Sequence, residues 1–255
     1  MSKANQMLWY KAWTDTRMFF FLGMFSLIAM VGALNMAYPG SPGQEFPHGA
    51  LAVRLADVRS LPQDARSYIW LHWFGNTLVI WLSILAVALA STGFPPPRAA
   101  TGSILHTLAL PVSRRIMAGV RVAMGFVELV IAAVIPTLLV CVAAALRGQS
   151  YSVREGLVQS LLAVAGAGAL YALFVFFSAT LGEMAKGILG CATLFLFGLF
   201  TFLVDGVQQY SIFRLMTGDM YFLRGEIPWL GIAGSACASL LLIAGSLAIV
   251  ERRDY

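Results

Sequence analysis

The sequence predicts an all-α membrane protein: one transmembrane domain over residues 1–255, with six spanning helices and both termini inside. Three observations predict it. Only 11% of the residues are charged and 59% are hydrophobic, which is about half the charge of a soluble domain. Mean hydropathy is +0.79. The apolar residues also fall in blocks of about 20, the length of one bilayer crossing. Disorder does not fit so apolar a chain. The blocks lack the alternating period of a barrel strand.

Taken in order, Met1 to Arg17 is too polar to be the start of a removed signal peptide. It reads as an interfacial helix, with Trp9, Trp13, Thr16 and Phe20 at helical spacing and Lys3, Lys11, Asp15 and Arg17 on other faces. The first span covers about 18–38 and is retained. Pro39 to Ser67 is an outside loop opening on Pro39-Gly40-Ser41-Pro42-Gly43, a run that breaks helices. The second span is about 68–90. The third is 122–146, interrupted by Pro136, and a short link around Arg147–Ser152 pairs it with the fourth, 156–179. The fifth is 188–204. Asp205–Trp229 is too polar to span and suits a pair of short re-entrant or interfacial helices. The sixth span, 230–250, ends in the charged tail Glu251-Arg252-Arg253-Asp254-Tyr255. With the N-terminus inside, ten Lys and Arg lie inside and seven outside, the bias that inward-facing loops carry.

The inside segment from Ser91 to Arg121 carries the most information. Pro95-Pro96-Pro97 stops the second span. Thr101 or Ser103 can cap a short helix with Ile104, Leu105 and Leu108 on one face, and Pro111 ends it. Ser113 can then cap a helix running through Arg114, Arg115 and Arg121 into the third span. An apolar face held between stiff boundaries gains by docking into a groove of another protein. It gains equally by lying on the inner leaflet, with Arg114 and Arg115 at headgroups. The residues alone leave both open.

The run Thr107-Leu108-Ala109-Leu110-Pro111-Val112-Ser113-Arg114-Arg115, followed by Arg121, resembles the segment after the second span of ABC-2 type ABC transporter permeases. The layout of the whole chain is similar to that family too. Arg98 and Thr101 stand where the family usually has an acidic residue. The resemblance implies a permease subunit of an exporter in the bacterial inner membrane. Two copies would stand beside two ATPase chains that bind ATP and magnesium. It also implies that Ser103, Ile104, Leu105, His106, Thr107, Leu108 and Leu110, with Pro111, Arg114 and Arg115, form the coupling helix and its flank at the ATPase. Trp9, Trp13 and Arg17 would share that inner surface.

Glu128 is an ionisable residue inside the third span, costing roughly 2.5–3.5 kcal/mol to insert unless it has a partner or a cavity. It fits a translocation path or gate, or a structural carboxyl joining two helices. Small residues on the fourth span (Ala165, Gly168, Ala169, Ala172) and the sixth (Gly234, Ala238, Gly245) suit close helix packing. Cys141, Cys191 and Cys237 read as small apolar residues. His48, His72 and His106 share no face, and Met18, Met24, Met30 and Met36 rotate around their helix, so no metal site is expected. Gly182-Glu183-Met184-Ala185-Lys186-Gly187 is not a phosphate loop, and no catalytic motif or cofactor site stands out. The basic residues lie beside spans, where they meet lipid rather than nucleic acid. A non-transporting membrane scaffold of a maturation or signalling complex, and a secondary transporter, are the other classes this sequence allows.

Overall fold

The computed structural model describes residues 3–37, 64–91, 113–181, 189–190, 192–193 and 211–252. Every regular element among them is helical. Helix α1 is Lys3–Ala37. Helix α2 (Ala65–Ser91) opens as Ala65–Ile69, widens to a π-helix over Trp70–Leu78 and closes as Val79–Ser91. Helices α3 (Arg114–Leu146) and α4 (Val153–Thr180) form a hairpin. Short helices α5 (Ile212–Thr217) and α6 (Asp219–Arg224) precede α7 (Trp229–Arg252). Helices α1, α2, α3, α4 and α7 are long and apolar enough to cross a bilayer, and they mark the chain as an integral membrane protein. The fifth expected span, Ile188–Val204, lies outside the described residues except for helical 189–190 and 192–193.

Side-chain contacts fix the helix directions. Tyr68 donates to the Leu34 carbonyl at 3.2 Å and Gly23 meets Leu85, so α1 and α2 are antiparallel. Gly156 sits against Cys141 and Thr137, and Gly168 against Phe126, so α3 and α4 are antiparallel. Ser235 donates to the Ala165 carbonyl at 2.6 Å and Gly245 meets Phe176, so α7 runs parallel to α4. The bundle therefore has a near end, where α3 starts and α4 and α7 finish, and a far end that holds α5 and α6. Arg115 and Glu251, 3.9 Å apart, mark the near end. Helix α4 is the most enclosed of the long helices and α7 the least.

Two helices differ from the sequence expectation. The N-terminal interfacial helix and first span are one continuous helix of 35 residues. Its buried residues Leu8, Ala12, Thr16, Phe20, Gly23, Leu27 and Val31 recur every three or four positions, so a single stripe packs along its length. Helix α3 runs 33 residues straight through Pro136, and it starts at Ser113, which accepts from the Ile116 N–H at 3.4 Å as the predicted cap. At 1.5 Å per residue these helices are roughly 50 Å long. That exceeds a hydrocarbon core of about 30 Å, so both project beyond it.

Candidate functional site

Toward the near end, α1, α3 and α4 meet around a polar cluster that runs from exposed Asp15 to buried Glu128. Asp15 and Thr16 are neighbours on α1, and Arg121 and Glu128 lie two turns apart on α3. Asp15 pairs with Arg121 at 3.1 Å. The Thr16 hydroxyl donates to Glu128 Oε1, and Thr16 also contacts the Ala12 carbonyl at 3.1 Å. Glu128 is fully buried, and its Oε2 has no hydrogen-bond partner among the described residues. From α4, Tyr171 donates to the Val122 carbonyl at 3.3 Å.

Glycine makes that third contact possible. A Cβ at Gly125 would collide with the Tyr171 hydroxyl, and a Cβ at Gly168 would come within 2.9 Å of Phe126. Each helix thus seats an aromatic ring of the other in a notch. Glu128 is buried between helices, with its hydrogen bond to Thr16 of α1.

A second cluster closes the far end. Trp70 stacks on Phe222 with centroids 4.5 Å apart and donates to the Thr217 carbonyl at 3.0 Å. Trp73 donates to Thr137 Oγ1 at 3.0 Å, and Thr137, one residue past Pro136, donates to the Ala133 carbonyl at 2.8 Å. Arg66 pairs with Glu155 through Nε at 2.7 Å and lies 4.8 Å over the Phe222 ring. Tyr151 donates to the fully buried Gln159 at 3.0 Å. Met216 fills a notch over Gly166. Asp219 is buried against Arg214. Burial raises its carboxyl above the usual range, and the Arg214 and Met220 hydrogen bonds pull against that. Burial likewise raises the Tyr151 phenol.

The other expected residues divide as follows. Trp9 and Trp13 are half-buried and Arg17 is exposed, with Trp13 edge-on to Phe20 at 5.4 Å. Arg114 opens α3, and Arg115 stands exposed beside Glu251. Ser103, Ile104, Leu105, His106, Thr107, Leu108, Leu110 and Pro111 lie outside the described residues, as do His48 and Cys191. Cys141 is buried, whereas Cys237 is exposed on α7, on a face with no helix against it among the described residues. Gly234 and Ala238 face outward with it. Gly166 was not among the expected small residues and has the tightest neighbour on α4. No metal-holding group occurs among the described residues. Sequence reading missed the pairing of Asp15 and Thr16 with α3. The available signal was Thr16 standing on the same stripe as Phe20.

No family model, curated protein or solved structure matches the chain.

Proposed function

We propose that the chain is the permease subunit of an ATP-driven exporter of the ABC-2 type, with six crossings and its near end and termini cytoplasmic. The carrying observation is where its most specific run leads. Thr107 to Arg115 passes directly into the Ser113 cap of α3, and α3 begins at the end of the bundle where α4 and α7 finish. A load applied to residues 103–110 would enter a rod of 33 residues. Connectivity supports the sixth crossing. Helix α4 finishes at the near end and α5 packs at the far end, so the chain between them, including Ile188–Val204, has to cover that distance.

In this reading ATP and magnesium belong to the partner ATPase, and the permease does no phosphate chemistry. Closure of the ATPase pair shifts Ser103–Leu110, and α3 carries the displacement into the bilayer. The nucleotide acts by binding two arrangements unequally. Two permease copies form the path.

The test is co-purification of the ATPase in mild detergent. Ile104→Asp with Leu108→Asp is expected to abolish association while leaving membrane insertion intact. Undiminished association would overturn the docking.

A further inference from the structure

Glu128 is fully buried on α3, and the hydrogen-bond count around it depends on where one proton sits. Thr16 Oγ1 faces three oxygens: Glu128 Oε1, the Ala12 carbonyl at 3.1 Å and the Trp13 carbonyl at 3.4 Å. A hydroxyl has a single proton to donate and two lone pairs with which to accept. The oxygen positions of Thr16 and Glu128 fit donation in either direction.

With the carboxyl ionised, the Thr16 proton has to point at Oε1, because an anion is the stronger acceptor. The carboxylate then has that one hydrogen bond for its whole charge, and Oε2 has none among the described residues. A buried carboxylate so thinly supported is costly. With a proton on Oε1 the count closes. The carboxyl donates to Thr16 Oγ1, and Thr16 donates to the Ala12 carbonyl, the ordinary back-bond of a helical threonine. Oε2 becomes a neutral carbonyl oxygen, for which a missing partner costs far less than it does for an anion.

The charges nearby lead to the same state. Arg121 on α3 is paired with Asp15 on α1 at 3.1 Å. Lys11 lies one turn before Asp15, and Arg17 is exposed. Helix α4 brings the uncharged Tyr171 and has no acid or base after Glu155. Among the described residues, α2 has no Asp, Glu, Lys or Arg after Arg66, and α7 has none before Glu251. A carboxylate at 128 would add a buried negative charge to a pair that is already neutral; the acid adds none.

We infer that Glu128 is a proton-binding site inside the bundle, standing as a carboxylic acid that donates to Thr16. The bound proton lets a carboxyl join α1 to α3 without bringing a net charge into the interior. This assignment does not rest on the permease reading.

The experiment is infrared spectroscopy of the full chain in lipid nanodiscs at neutral pH, comparing the wild type with Glu128→Gln. The Gln amide has nearly the volume of the acid and also donates to Thr16, so this variant is expected to fold and melt like the wild type. The difference spectrum is expected to show the carbonyl stretch of a carboxylic acid in the wild type and its loss in the variant. Any other protonated acid cancels in the difference. Thr16→Val removes the acceptor of the carboxyl proton and is expected to displace the same band. Loss of a carboxylate band in Glu128→Gln, with the carboxylic region unchanged, would overturn the assignment. So would a Glu128→Gln chain that fails to fold, since the amide reproduces the donor. A Glu128 band that Thr16→Val leaves in place would overturn the donation to Thr16.

Discussion

At the scale of single residues, the fold depends on a few side chains that local composition does not distinguish. Glu128 is legible in the sequence as a carboxyl in an apolar block, but its partner Thr16 lies 112 positions away. Gly125 looks like any helical glycine until Tyr171 is placed on it. Gly125→Val should force the ring out of its notch, with a loss of about 1–3 kcal/mol typical of overpacking. Adding Tyr171→Ala should restore part of that loss. Thermal unfolding of the single and the double variant in detergent checks this, and equal losses with and without Tyr171 would mean the notch is not what limits the site. Thr137 shows the same dependence on partners. Its hydroxyl bonds a carbonyl within α3 and accepts from Trp73, a role its position after Pro136 does not announce.

At the scale of elements, the apolar blocks gave the long helices nearly at their observed positions. The cap at Ser113 was readable because a Ser before a periodic run has a specific job at a helix start. Two short helices before the last span were readable from a half-apolar pattern. Two features were not. Helix α1 is continuous because its buried stripe faces α3 and α2, and a polar first half gives no hint of that tertiary support. The π-helix at Trp70–Leu78 serves packing: Trp70, Trp73, Phe74 and Leu78 are all fully buried, and periodicity alone reads them as ordinary α.

The α5–α6 pair carries a pH dependence of definite sign. Burial raises the Asp219 carboxyl above its ordinary value of 3.8, so the folded pair holds the proton more tightly than the unfolded chain. Stability from this group is therefore fully present below the unfolded value and falls as pH rises through the folded one. Hydrogen exchange over residues 212–224 should quicken across that interval, and Asp219→Asn should flatten the dependence. An Asn variant with the same slope would assign the effect to another group.

At the scale of the whole molecule, the near and far ends are built differently. The far end is knitted by stacked aromatics, an Arg66–Glu155 pair and a pair of short helices lodged against α2 and α4. Among the described residues, the near end carries exposed Arg17, Arg115 and Arg252. Residues 103–110 lie outside the described residues; their sequence leaves a docking and a membrane-surface element both open, because a groove and a leaflet bury the same apolar face.

The most direct measurement is photo-crosslinking in intact cells from a benzoyl-phenylalanine placed at Leu105. An adduct with a nucleotide-binding chain, lost in the Ile104→Asp/Leu108→Asp background, is the predicted result. Adducts with lipid alone would contradict it.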